Sequence, residues 1–156
     1  LSLGSLGSAD VDLMRRLVAV LADTPHRYVV SKGPRAAEFD LPPNMWGDAR
    51  LPQTSIIPRC DLVITHGGNN TTTEALHFGK PMIVLPLFWD QYDNAQRVQE
   101  IGAGLRLPTY AFEDDDLRGA VDRLLDDQDM RARLDAAGER IRAAPASSLR
   151  WLGAAD

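Results

Sequence analysis

Between Val63 and Leu76 the chain reads VITHGGNNTTTEAL, in which seven residues of glycine, asparagine and threonine separate an apolar run from a helix-like one. Glycine and threonine form helices poorly, and a plain turn needs only two or three special residues, so the stretch points to a further task. His66 follows strand-like residues directly, which places its imidazole at a strand end. With Gly67, Gly68, Asn69, Asn70 and Thr71 beside it, the segment suits binding of ligand oxygens. Glycines let an anion approach the backbone closely, and a helix N-terminus offers unpaired N–H groups and a partial positive charge. Glu74, eight residues after His66, reads either as a first-turn acid favoured by the helix dipole or as a charge-assisted acceptor for sugar hydroxyls. Two more loops are chemically loaded. GSLGS (4–8) is a second glycine-containing turn before a helix, and FWDQYDN (88–94) sets Asp90 and Gln91 beside an aromatic pair, which suits a polyol. Two such glycine loops at one sheet edge imply a polyanion such as a diphosphate, held with almost no lysine nearby.

A scaffold has to bring these loops to one edge. LSLG (1–4) reads as the end of a strand, followed by the loop SLGS. Ser8 is placed to cap a helix reaching about Ala22, with Asp10 and Asp12 in its first turn and Leu13, Leu17, Val20 and Leu21 on one face. HRYVVS (26–31) is a second strand, KGPRAAEFDLPPN is too broken for regular structure, and NMWGDAR (44–50) holds a short third strand. QTSIIPRC is a helical turn cut by Pro58. DLVIT (61–65) and PMIVLP (81–86) are buried strands, the latter apolar throughout as parallel strands covered on both faces tend to be. TTEALHFG forms a short helix ended by Gly79, and YDNAQRVQEIG a helix with Gly102 after its end. GLRL (104–107) is the last strand.

Two helices, about 113–126 and 128–143, close the pattern. EDDD (113–116) suits a helix start, and Asp114/Arg118, Asp127/Arg131 and Asp129/Arg133 have the spacing of surface ion pairs. In the tail APASSLRWLGAAD, a break at Pro145 precedes Trp151 and Leu152, a pair suited to docking on a surface. Strands alternating with helices at this spacing indicate a Rossmann-like, doubly wound parallel sheet of the α/β class. The expected division is a nucleotide-sugar-binding domain over 1–144 and a tail over 145–156.

Composition narrows the function classes. At 156 residues the chain can bury a core without disulfide or metal. A net charge of −5 argues against a general nucleic-acid or anionic-membrane binder. Cys60, the single cysteine, excludes an internal disulfide, reads as a small buried residue, and makes a reducing, cytoplasmic setting the default. No apolar run approaches the roughly 18 residues of a membrane span. The first residue is Leu, and LSLGS reads as if the chain began inside a strand, as expected of an excised piece or of a naturally separate subunit.

The run LPQTSIIPRCDLVITHGGNNTTTEALHFGKPMIVLPLFWDQYDNAQRVQEIGAGLRL closely resembles the signature of family 1 glycosyltransferases, the UDP-glycosyltransferase superfamily with the GT-B fold. Its likeness is greatest to bacterial members that decorate macrolides and other natural products, and it extends over residues 1–140. The resemblance implies the C-terminal, donor-binding half of that fold. It implies roles too: Ser5, His66, Gly68, Asn70 and Thr71 at the donor diphosphate, Glu74 at the ribose, and Asp90 with Gln91 at the donor sugar. Arg50, Leu51 and Gln53 would hold the base. Plant relatives especially place a Trp three residues before that Gln, where this chain has Arg50, whose guanidinium plane can stack; Trp46 is near but not at that position.

The implied reaction moves a sugar from a UDP- or TDP-sugar to an acceptor hydroxyl, with inversion and without metal or other cofactor. The general base and acceptor site belong, in relatives, to an N-terminal half that this sequence does not include. The expected partners are therefore the nucleotide-sugar donor and that N-terminal half. Two other readings are a separate donor-binding subunit completed by a second polypeptide, and an enzyme like the UDP-sugar 2-epimerases.

Overall fold

The computed structural model describes residues 1–144, so the expected docking pair Trp151 and Leu152 lies outside the described residues. Five short strands run parallel: β1 (Tyr28–Ser31), β2 (Met45–Asp48), β3 (Val63–Thr65), β4 (Met82–Val84) and β5 (Gly104–Arg106). Ser2 completes the sheet, bridging in parallel to Ser31 on one side and to Thr65 on the other. Across the sheet the order is β2, β1, Ser2, β3, β4, β5. The chain thus starts in the middle, builds outward to β2, then returns and builds the other way. The reversal falls between Ser2 and β3, where open α/β sheets leave a crevice at the carboxyl ends of the strands.

The helices are α1 (Gly4–Gly7), α2 (Val11–Ala22), α3 (Gln53–Ile56), α4 (Asn69–His77), α5 (Gln91–Glu100), α6 (Asp114–Asp126) and α7 (Gln128–Ala143). Val63, Ile64 and Thr65 are all buried, as are Met82, Ile83 and Val84. Successive strand residues point to opposite faces, so unbroken burial means that both faces of the sheet are covered. One layer pairs α2 with α6, and another groups α4 with α5 and α7. Leu17 and Leu21 of α2, Ile83 of β4 and Leu117 of α6 are fully buried in a continuous core. Each such side chain contributes roughly 1.5–3 kcal/mol when removed from water.

Several local expectations change. Ser8 does not cap α2: that helix starts at Val11, and the Asp10 carboxylate accepts from the Leu13 N–H at 3.0 Å. Ser8 instead ends the short turn α1 and is buried, because the chain needs that turn before it can enter α2. Cys60 is half-buried rather than buried, its thiol donating to the Ile56 carbonyl at 3.4 Å. Among the described residues, none of the three i,i+4 pairs forms. Arg118 meets Asp115 at 3.1 Å and Asp23 at 3.4 Å, while Arg131 reaches Asp61 at 3.1 Å. Asp127 is otherwise engaged, accepting from Met130 N–H at 2.8 Å as the cap of α7. Arg118 thus pairs at i,i+3 within α6 as well as with the end of α2, and Arg131 pairs with an acid of another segment, because packing brings such acids as close as the next helical turn.

Asp10→Ala removes the cap of α2 and the hydrogen bond from the Tyr110 hydroxyl. It should lower stability by about 1 kcal/mol, read as a shifted urea midpoint with unchanged slope.

Candidate functional site

At the reversal of strand order the carboxyl ends of the Ser2 segment and β3 open into a cleft lined by Ser2, Gly4, Ser5, Gln53, His66, Gly68, Asn69, Asn70, Thr71 and Glu74. Ser5, His66, Gly68, Asn70, Thr71, Glu74 and Gln53 were each expected at a ligand, and they meet here from three separate segments. No lysine or arginine is among the lining residues. A hollow rich in Leu51, Ile56, Ile57, Leu62 and Val63 adjoins it and shares Ser2, Gln53 and Thr71. The site is therefore polar at one end and apolar at the other.

His66 follows the last residue of β3, and its ring is wedged between two backbones. A Cβ added at Gly4 would stand 2.9 Å from His66 Nε2, and one at Gly68 would stand 2.6 Å from the same atom. Only residues without a side chain fit at both positions, and Gly4 in addition takes φ +67°. The Nδ1 side of the ring lies 3.4 Å from the Thr65 hydroxyl, which also accepts from the Gly67 N–H at 3.2 Å. Burial pulls the imidazole below its ordinary pKa, and the Ser2 main chain and the nearby charge of Asp90 oppose that pull.

α4 begins at the cleft with Gly68 as its cap residue and without a side-chain cap. Its first intrahelical bond runs from Thr72 N–H to the Gly68 carbonyl at 3.0 Å. The N–H groups ahead of it, those of Asn69, Asn70 and Thr71, form the open end of the helix dipole. The first loop enters the turn α1 rather than α2 directly. α2 starts at Val11 and is closed by Asp10, so that helix offers no N-terminus to an anion. From this loop Gly4 and Ser5 line the cleft.

Glu74 and Thr71 are joined through Gln53, whose side-chain nitrogen donates to Thr71 Oγ1 at 2.9 Å and to Glu74 Oε2 at 2.7 Å. Arg50 is exposed and lines neither hollow; Leu51 lines the apolar one. Trp46 is 62% exposed on β2 and is likewise outside both. Asp90 is exposed, but Gln91 is buried. Gln91 Oε1 accepts from the Leu87 and Phe88 N–H groups at 2.9 and 3.2 Å, holding the turn that enters α5. Only its amide nitrogen remains for a ligand.

Asn94 had no expected role beyond belonging to the DQYDNA run. Its side-chain nitrogen donates to the Gly67 carbonyl at 2.8 Å and to Asn69 Oδ1 at 2.9 Å, so α5 clamps the loop that carries His66. No periodicity would have singled it out, since it sits in a solvated helical turn.

The chain is thus a doubly wound α/β domain with its cleft at the strand reversal, a glycine-lined helix mouth, and a carboxylate at the sixth residue of that helix. Residues 15–148 match the model for the C-terminal domain of erythromycin biosynthesis protein CIII-like proteins, and the chain belongs to that family. Over 138 residues it is 31% identical to the NDP-glycosyltransferase YjiC of Bacillus subtilis (strain 168), covering 86% of this chain and 35% of the relative. The chain thus spans about a third of that protein's length.

Among solved structures, the glycotransferase of kitacinnamycin superposes with a TM-score of 0.83 at 32% identity, over 91% of this chain and 38% of that one. The spinosyn rhamnosyltransferase SpnG complexed with thymidine diphosphate gives 0.79 at 27% identity, over 97% of this chain and 43% of that one. No helix among the described residues is long and apolar enough to cross a membrane.

The lowered pKa of His66 has a sign. The folded state binds fewer protons than the unfolded one between the folded pKa and about 6.5. This contribution to stability is therefore present above about pH 6.5 and is lost as pH falls through the folded value. An NMR titration of the ring should give a midpoint below 6.5, and denaturation at falling pH should show a stability loss that His66→Gln removes.

Proposed function

We propose that this chain is the nucleotide-diphosphate-sugar-binding half of an inverting, metal-independent glycosyltransferase of natural products. The observation that carries this reading is the convergence of Ser5, His66, Gly68, Asn70 and Thr71 on one cleft, with Glu74 a helical turn deeper. The diphosphate of a UDP- or TDP-sugar lies at the mouth of α4, the ribose against Glu74, and the base in the hollow beside Leu51 and Gln53. Asp90 and the free amide nitrogen of Gln91 meet hydroxyls of the sugar.

In the reaction an acceptor oxygen attacks the anomeric carbon as the bond to the β-phosphate oxygen breaks. The electron pair leaves with the diphosphate, and charge grows there. N–H groups of the α4 mouth and the His66 ring are fixed in advance where that charge develops, which is how preorganised donors lower a barrier. The same dipoles supply the positive potential that a metal supplies in other transferases. The acceptor's proton goes to a base outside this chain, in an N-terminal half that also holds the acceptor.

Calorimetry of the chain with UDP and with TDP tests the reading. Weak binding of both is expected, since one wall of the full cleft is absent; no heat at millimolar ligand with a folded sample would overturn it. Glu74→Ala should weaken UDP roughly tenfold or more, the worth of a hydrogen bond to a charged group. TDP, which has no ribose 2′-hydroxyl, should lose less, and equal losses would show that Glu74 does not read that hydroxyl.

A further inference from the structure

Gln53 reaches the cleft from α3, a different segment from the one that carries Thr71 and Glu74, and its amide nitrogen touches both. The two distances, 2.9 Å to Thr71 Oγ1 and 2.7 Å to Glu74 Oε2, account for both amide protons. The orientation of the amide is fixed by chemistry, because the carbonyl oxygen turned toward the Glu74 carboxylate would meet only lone pairs. We propose that Gln53 is a positioning residue that sets Thr71 and Glu74 for the donor rather than a direct contact to its base. This inference rests on the donor-site reading given above.

The consequences follow from counting donors and acceptors. Thr71 is 6% exposed, and Gln53 takes one lone pair of its oxygen, so its hydroxyl proton is available to a ligand oxygen. An oxygen that accepts one hydrogen bond donates the next more strongly. Thr71 is thereby turned into a donor toward a phosphate oxygen. Glu74 has one oxygen held by Gln53, which leaves Oε1 as the acceptor for a ribose hydroxyl and fixes the rotamer that presents it. A single amide thus aligns the phosphate contact and the ribose contact, which lie three residues apart on one face of α4.

A double-mutant cycle distinguishes positioning from direct contact. Gln53→Met, Glu74→Ala and the double variant are titrated with UDP and TDP by calorimetry. If Gln53 acts through its two partners, Gln53→Met weakens TDP about tenfold through Thr71 and weakens UDP further through Glu74. In the Glu74→Ala background that extra UDP loss disappears, and both nucleotides lose the same factor. A UDP loss that is unchanged in the Glu74→Ala background overturns the proposal and makes Gln53 a direct ligand contact. Absence of heat for the wild-type chain would instead sink the donor-site reading. In that case the ligand-free chain still decides: Glu74→Ala and Thr71→Val should each move a side-chain amide proton resonance of Gln53, and unmoved resonances overturn the arrangement.

Discussion

The His66 ring occupies the space that a side chain at Gly4 or Gly68 would need, and the shape of the cleft depends on that fit. It brings the loop after Ser2 and the loop after β3 to the same point, one on each side of the strand reversal. A methyl group at either glycine would clash with the ring and force one of them to shift. The ring also needs its own loop held still. Asn94 does this from α5 by fixing the Gly67 carbonyl and the Asn69 side chain. Gln91 fixes the turn that starts α5. The proposed phosphate contacts and sugar contacts are therefore anchored by one helix, and movement of the sugar-facing turn would be felt at the imidazole.

Much of the fold was legible because its signals are short-range. The boundaries of the two last helices, about 113–126 and 128–143, agree closely with Asp114–Asp126 and Gln128–Ala143. An acidic helix start and apolar spacing suffice for that. The buried strands VIT and MIV announced themselves as unbroken apolar or β-branched runs. The cleft residues were legible too, since glycines and an N-terminal helical turn have few other reasons to cluster.

What the sequence left open lay in the geometry of turns and in the packing of one segment on another. Asp10, expected inside the first turn, is the cap instead of Ser8, because the turn at Gly4–Gly7 delays the start of α2. Arg118 takes Asp115 at i,i+3 instead of Asp114 at i,i+4 and adds Asp23 from alongside, while Arg131 takes Asp61 from another segment. Gln91 looks like a surface residue until the turn before it folds back and places two N–H groups on its oxygen. Arg50 stands one residue from Leu51 in sequence but lies outside the hollow that Leu51 lines.

The lining of the cleft carries one formal charge, the Glu74 carboxylate, and no cation. A basic pocket would attract any polyanion in proportion to its charge, and would fill with the abundant triphosphates and inorganic phosphate of a cell. Aligned dipoles act only over the length of a hydrogen bond, so a ligand is held when its oxygens coincide with the N–H and hydroxyl groups and is ignored otherwise. Added salt, which screens charges across roughly 8–10 Å, has little to weaken in such a site. Under the proposed donor-binding reading, the cleft of this acidic chain would sort anions by shape, with a selectivity that persists across the ionic strengths that erase electrostatic steering.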